Sequence, residues 1–170
     1  MEQVNAVAVA ETTQYLTFKL EEEVFALGIS KVREVLDYTT ITRIPEMPEF
    51  MLGVINLRGS VVPVVDMRLK FGMSRSEAKV NTCIIIVEIE LDGETTIMGA
   101  LADSVQEVLE LDPDQVEAPP RIGTRLKSRF IKGMGKRDNQ FIIILDIDAV
   151  FSADELAMTQ DTGSEIEMAS

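Results

Sequence analysis

Consecutive apolar runs, rather than amphipathic stripes, dominate the chain: Val61–Val65 reads VVPVV, Ile84–Val87 reads IIIV and Phe141–Leu145 reads FIIIL. A strand that is apolar on successive residues needs cover on both faces, so these runs predict strands held between two layers or inside a small barrel. Hairpins surround them. YLTFKL and EVFALGI flank an acidic turn, while CIIIVEIEL and ETTIMGALA flank Asp92-Gly93, a two-residue turn whose positions both tolerate positive φ. Pro63 cannot donate to a ladder, which places it at an edge or a bulge. Helical periodicity is sparse. GISKVREV allows one opening turn, and Ser152-Ala-Asp-Glu155 followed by Leu156 has the spacing of a helix cap. That short C-terminal helix is expected to pack through Leu156 and then give way to a disordered acidic tail.

The pattern is written twice. FMLGVINLRGSVVPVVDMRLKF, from Phe50, lies without gaps over FIKGMGKRDNQFIIILDIDAVF, from Phe130, at an offset of 80 residues. Gly53 then pairs with Gly133, Asp66 with Asp146 and Phe71 with Phe151, and the turn Arg58-Gly59-Ser60 falls over Asp138-Asn139-Gln140. Upstream, SKVREVL matches DSVQEVL at an offset of 73, the difference falling in two proline-bearing connections. About five short strands per half predict an all-β fold of two small barrels, docked because one so small has a marginal core. The expected divisions are a disordered segment over 1–13, a first barrel over 14–80, a second over 81–151, and the short helix with its tail over 152–170.

Composition narrows the function by exclusion. The chain has 170 residues with 46% hydrophobic content, enough for a substantial core, and no apolar run approaches the roughly 20 residues that span a bilayer. The start lacks the basic leader and apolar stretch of a secretory signal, so a cytoplasmic location without membrane insertion is expected. A single cysteine, Cys83, sits in TCIIIV and reads as a small buried hydrophobe. The net charge of −13 argues against nucleic acid. Its distribution says more: the last 19 residues hold five acids and no base, whereas Arg121 to Arg137 holds seven bases and no acid. A positive patch in an acidic protein is either a steering surface for an acidic partner or a solvated loop.

Catalytic chemistry finds no support. There is no histidine, and with one cysteine a zinc or iron-sulfur site has no ligand set. Glycines stand apart, without the spacing of a phosphate cradle, and Ser30, Ser60 and Ser104 lack a base. Asp146 and Asp148 stand at alternate positions and read as a strand end or a helix cap. The residues point to a binding protein that uses neither metal nor cofactor.

The segment GVINLRGSVVPVVDMRLKF, preceded by ISKVREVLDYTTITRIPEMPEFMLG and followed by the weaker second copy, closely resembles the CheW family of bacterial chemotaxis coupling proteins. The resemblance runs from about Gln14 to Phe151. It implies two five-stranded SH3-like barrels on a shared core. The same fold forms the regulatory domain of the histidine kinase CheA and the front of CheV, which adds a receiver. With neither a kinase segment nor a receiver beside it, a stand-alone coupling protein is expected.

The implied function is a non-enzymatic adaptor between the cytoplasmic hairpin tip of methyl-accepting chemoreceptors and the regulatory domain of CheA, recruited to membrane receptor arrays. Carried over residue by residue, the receptor groove falls on Val32, Glu34 and Val35 with Asn56, Leu57, Arg58 and Gly59. Arg58 either meets the receptor or pairs internally with Glu34 or Asp37. Of the neighbours Val35 and Leu36, one points inward. Kinase contacts fall on Ile41, Arg43, Ile44 and Met47, and a second, ring-building contact, open to other CheW-like proteins, on Glu117, Arg121 and Ile122. The alternatives are an adaptor of a non-flagellar chemosensory pathway and a β-domain that binds a small ligand. Deleting Thr159 to Ser170 is expected to leave fold and kinase binding intact.

Overall fold

The computed structural model describes residues 12–119 and 128–152. Strands run as β1 (Thr13–Leu20), β2 (Glu23–Gly28), β3 (Val32–Asp37), β4 (Met51–Leu57), β5 (Ser60–Asp66), β6 (Cys83–Leu91), β7 (Glu94–Ala102), β8 (Ser104–Leu111), β9 (Val116–Glu117), β10 (Ile131–Arg137) and β11 (Gln140–Leu145). Two single-turn helices, α1 (Met67–Lys70) and α2 (Ile147–Val150), follow β5 and β11. The turn expected in GISKVREV is a 3₁₀ turn over Ile29–Lys31.

The fold is all-β as expected, but the barrels do not follow the division at residue 80. One sheet has the order β8-β1-β2-β11-β10-β9 and the other β3-β6-β7-β5-β4. The first hairpin, β1–β2, therefore closes the barrel built from the end of the chain, while β6–β7 closes the one built from β3, β4 and β5. The two halves exchange hairpins. Parallel pairing seals each exchange, Ile144 with Ala26 in one barrel and Val64 with Gly99 in the other.

Exchange explains the continuous apolar runs. Along β6, Ile84 and Ile86 fill the interior of one barrel with Ile55, Val62 and Val64, while Ile85, Val87 and Ile89 face the core shared by both barrels. Along β2, Ala26 joins the other barrel's interior and Phe25 and Leu27 join the shared core. Each hairpin is thus a wall with two buried faces. Phe18, Phe25, Phe71 and Phe130 run through the shared core with successive ring centroids 5.9, 5.8 and 6.0 Å apart. The other two runs are buried less completely. Val61 is 75% exposed and Phe141 57%, because each follows a hairpin tip that projects past the barrel. Pro63 lies one residue before β5 begins its pairing with β7, where no ladder bond is lost. Cys83 is half-buried, its thiol donating to the Asn81 carbonyl at 3.1 Å.

The duplication is physical. Both β4 and β10 carry a bulge before the matched glycine, and Asp66 N–H donates to Phe50 O at 2.8 Å as Asp146 N–H does to Phe130 O at 2.8 Å. Asp66 and Asp146 cap α1 and α2. Arg68, in α1, ties the barrels together: its guanidinium donates to Asp103 Oδ2 at 3.0 Å and to Glu21 Oε2, in the β1–β2 turn, at 3.1 Å. Ser152 is the last described residue of this stretch, and the helix expected to follow it lies outside the described residues.

Candidate docking surfaces

The first surface begins at a strained turn. Arg58 and Gly59 link β4 to β5 with φ of +50° and +89°, the two-residue geometry that matches strand twist. Glycine adopts it freely; arginine does so at an energetic cost. The turn holds because Asn56 Oδ1 accepts from Gly59 N–H at 2.7 Å. At the equivalent turn Asp138 and Asn139, which tolerate this region, take its place.

The strained arginine reaches across the barrel seam. Both Arg58 Nη2 and Nη1 bond the Glu34 carboxylate, the latter at 3.4 Å. Arg58 nevertheless stays 68% exposed, against 27% for Glu34. The internal pair is therefore made, and it leaves the guanidinium facing outward. The hydrogen bond from Arg58 holds the Glu34 carboxyl below its ordinary value against a smaller opposing effect of desolvation, and the charges of Arg58 and Arg33 add to it. In return Glu34 raises Arg58.

The pair predicts a pH response of definite sign. A depressed carboxyl contributes fully above the ordinary carboxylate range and loses that contribution as pH falls through its lowered folded value. An NMR titration of the Glu34 carboxyl is expected to show a midpoint below the ordinary range, moved up towards it by Arg58→Ala. Equal midpoints in the two proteins would mean the pair does not form.

Around Arg58 the other nominated residues divide. A bulge in β3 between Val32 and Glu34 sets the phase, so Val35 turns outward at 40% exposed and Leu36 packs on the barrel interior. Val32 packs against the shared core and Leu57 on the barrel interior, which makes both supports of the surface. Asn56 is exposed, but its side-chain oxygen is committed to the turn. Val61, three residues after Arg58, is an exposed apolar residue that sequence reasoning assigned to the core.

A second surface lies near the other end of β4. Thr42 bridges Val54, donating to its carbonyl at 2.8 Å and accepting from its N–H at 2.9 Å. This anchor spreads the connection 43–49 over the barrel end. Arg43, Ile44 and Met47 line a depression of about 370 Å³ with Leu52 and Arg75, and a neighbouring one of about 160 Å³ adds Tyr38 and Ile41. Tyr38, Ile44 and Met47 are 42%, 41% and 38% exposed. An aromatic ring, a methionine and two guanidinium groups round an apolar depression are typical of a protein contact. Tyr38 and Arg75 were not foreseen, since only folding brings the loop after α1 beside the loop before β4.

For the ring-building set, Glu117 on β9 pairs with Lys136 at 2.8 Å, while Arg121 and Ile122 lie outside the described residues. Among the described residues no cluster of His, Cys, Asp and Glu is suited to a metal, and no helix is long and apolar enough to cross a membrane.

Comparison with known proteins agrees on one family. Residues 14–155 match the CheW-like domain. A chemotaxis protein CheW of Klebsiella aerogenes is 32% identical over 148 residues, 87% of each chain. One from Thermotoga maritima is 31% identical, covering 81% of this chain and 86% of that protein. The crystal structure of the scaffolding protein TtCheW from Thermoanaerobacter tengcongensis matches with a TM-score of 0.75 and 37% identity over 85% of this chain and 90% of that one.

Proposed function

Starting from the fact that this chain belongs to the CheW-like domain family, with chemotaxis proteins CheW and the scaffolding protein TtCheW among its relatives, we propose that it is a non-enzymatic adaptor that couples methyl-accepting chemoreceptors to the histidine kinase CheA. The observation that carries this reading is the pair of unlike surfaces on one barrel. Val35, Arg58 and Val61 stand by the tip end of β4, and Arg43, Ile44 and Met47 by its start. A strand of this length separates them by roughly 20 Å, enough for two partners at once. The receptor hairpin tip meets the first surface through Val35, Arg58 and Val61, with Glu34 and Gly59 beneath. The kinase regulatory domain meets the second. Glu117 and the segment after it face a further CheA or CheW-like neighbour in a ring, and the protein works in the cytoplasm at membrane receptor arrays.

Neither contact has to be tight. A micromolar contact is worth about 8 kcal/mol, and once one partner is held in an array the second binds at high effective concentration. The test is autophosphorylation of the cognate kinase with receptor-containing membranes, with and without this protein. A large rise that receptor ligand suppresses is the expected result. No rise, together with no binding to the isolated regulatory domain, would overturn the proposal.

A further inference from the structure

The second barrel repeats the Arg58 surface with its charge reversed. Where β8 pairs with β1 the register shifts between Val105 and Val108, the counterpart of the shift in β3 between Val32 and Glu34 at the offset of 73. Buried Thr17 fixes this bulge: its hydroxyl accepts from Glu107 N–H at 3.1 Å and donates to Glu107 O at 2.8 Å. The phase is therefore the same in both strands, and Val108 turns outward at 49% exposed as Val35 does. Val61 has its counterpart in Phe141 at the offset of 80, and both are exposed. A depression of about 630 Å³ is lined by Glu110 of β8 and by Arg137, Asp138 and Phe141 of the β10–β11 tip. Strand β8 thus lies beside that tip as β3 lies beside Arg58.

What differs is the charge. Arg58 and Glu34 are replaced by Asp138 and Glu107, two acids where the first barrel has an ion pair. Asp138 is 90% exposed and meets only its neighbour Arg137, at 3.9 Å, while among the described residues no cation pairs with Glu107. Lys136, on the same tip, is held by Glu117 at 2.8 Å. One surface therefore shows an outward guanidinium with exposed Val35 and Val61. The other shows two carboxylates without an arginine between them, with exposed Val108 and Phe141. Glu34 uses only part of the Arg58 donor fork, so the rest remains for a second acceptor. The two surfaces are complementary in charge and alike in apolar character. They sit on different barrels packed through one core, so they meet only between copies.

We propose that the Val108–Phe141 surface takes a second copy of this chain, whose Arg58 lies between Asp138 and Glu107 and whose Val35 and Val61 cover Val108 and Phe141. The contact is heterologous: each copy offers its first surface to one neighbour and its second to another, so growth does not stop at a dimer. Exposed charges and four apolar side chains make it weak. It covers the surface assigned above to the receptor, so receptor and second copy exclude each other there. That exclusion alone rests on the adaptor reading.

Sedimentation equilibrium of the full-length protein, without receptor or kinase, tests the contact and keeps its failure distinct from failure of the adaptor reading. At about 150 mM salt the Debye length of about 8 Å screens the repulsion between copies and leaves the contact pairs. The weight-average mass is expected to rise with concentration and to pass that of a dimer by about 1 mM protein. Asp138→Arg gives the second surface the charge of the first, and Arg58→Glu with Glu34→Arg gives the first surface the charge of the second. Either protein alone is expected to associate about tenfold more weakly than the parent, because like charges then face each other, and an equimolar mixture is expected to recover parental association. Recovery also shows that both variants are folded. Phe141→Ser should weaken association about fivefold, and Glu117→Lys, at the ring-building contact, should leave it unchanged. A parent that stays monomeric to about 1 mM, or a mixture no more associated than its parts, overturns the proposal. So does association that Glu117→Lys abolishes and Phe141→Ser spares.

Discussion

Gly53→Ala is expected to destabilise the protein by about 3 kcal/mol and to lower its Tm by roughly 6–12 °C. Gly53 follows the bulge of β4 at φ +150°, a backbone conformation that side chains rarely adopt, and a Cβ built there lies 2.1 Å from the Thr42 carbonyl oxygen. No real contact is that short, and the obstacle is backbone, which cannot rotate away. The displaced oxygen is the one that accepts from Val54 N–H at 2.9 Å, so relief would also break the bridge holding the connection 43–49 in place. Loss of stability should therefore come with loss of the Arg43–Met47 surface. Gly28→Ala is the control, since no atom outside its immediate chain neighbours lies within 4 Å of a Cβ there. Thermal or urea unfolding decides: a Gly53→Ala loss no larger than that of Gly28→Ala would show that the strand yields cheaply.

The same glycine illustrates what the sequence makes legible. Its match with Gly133 is plain in the sequence, and both glycines admit a close neighbour, Gly133 with Val116 Cγ1 2.7 Å from an added Cβ. Hairpins, turns and duplication were readable because each rests on local chemistry: Asp92 and Gly93 both take positive φ, as their residue types allow. The exchange of hairpins was not readable. A hairpin that closes its own half and one that closes the other present the same apolar runs, and only the pairing of Ile144 with Ala26 and of Val64 with Gly99 tells them apart. Surface and core were confused for a similar reason. Val61 and Phe141 begin runs whose later members are buried, and nothing in an apolar side chain marks the residue that stands beyond the barrel. The phase of Val35 and Leu36 was open until the bulge at Val32 and Glu34 fixed it. The Glu34–Arg58 pair had been one of two alternatives, and the structure makes it without withdrawing Arg58 from the surface.

Whether a partner reads Arg58 itself or only the shape that the pair maintains has an experimental answer, and the larger functional effect is expected there. Arg58→Glu should reduce receptor-dependent kinase activation by about tenfold or more, because it puts like charges together at the turn and reverses the charge an incoming partner meets. Part of that loss would be structural, so the informative protein is Arg58→Glu with Glu34→Arg. Attraction across the seam is restored in the double variant, and the turn keeps its Asn56 to Gly59 bond. The charge presented outward is still reversed, because position 58 is 68% exposed and position 34 only 27%. The double variant is expected to regain the stability of the parent and to remain defective in coupling, while binding the kinase regulatory domain normally through the Arg43–Met47 surface. Full recovery of coupling would mean that the pair serves only to shape the hairpin. Retained activity in the single variant would remove Arg58 from the receptor contact and leave Val35 and Val61 to make it. The defect expected in the double variant is the result that assigns the guanidinium a contact of its own, and it would give a reason for an arginine at a turn position that glycine, asparagine or aspartate would occupy with less strain.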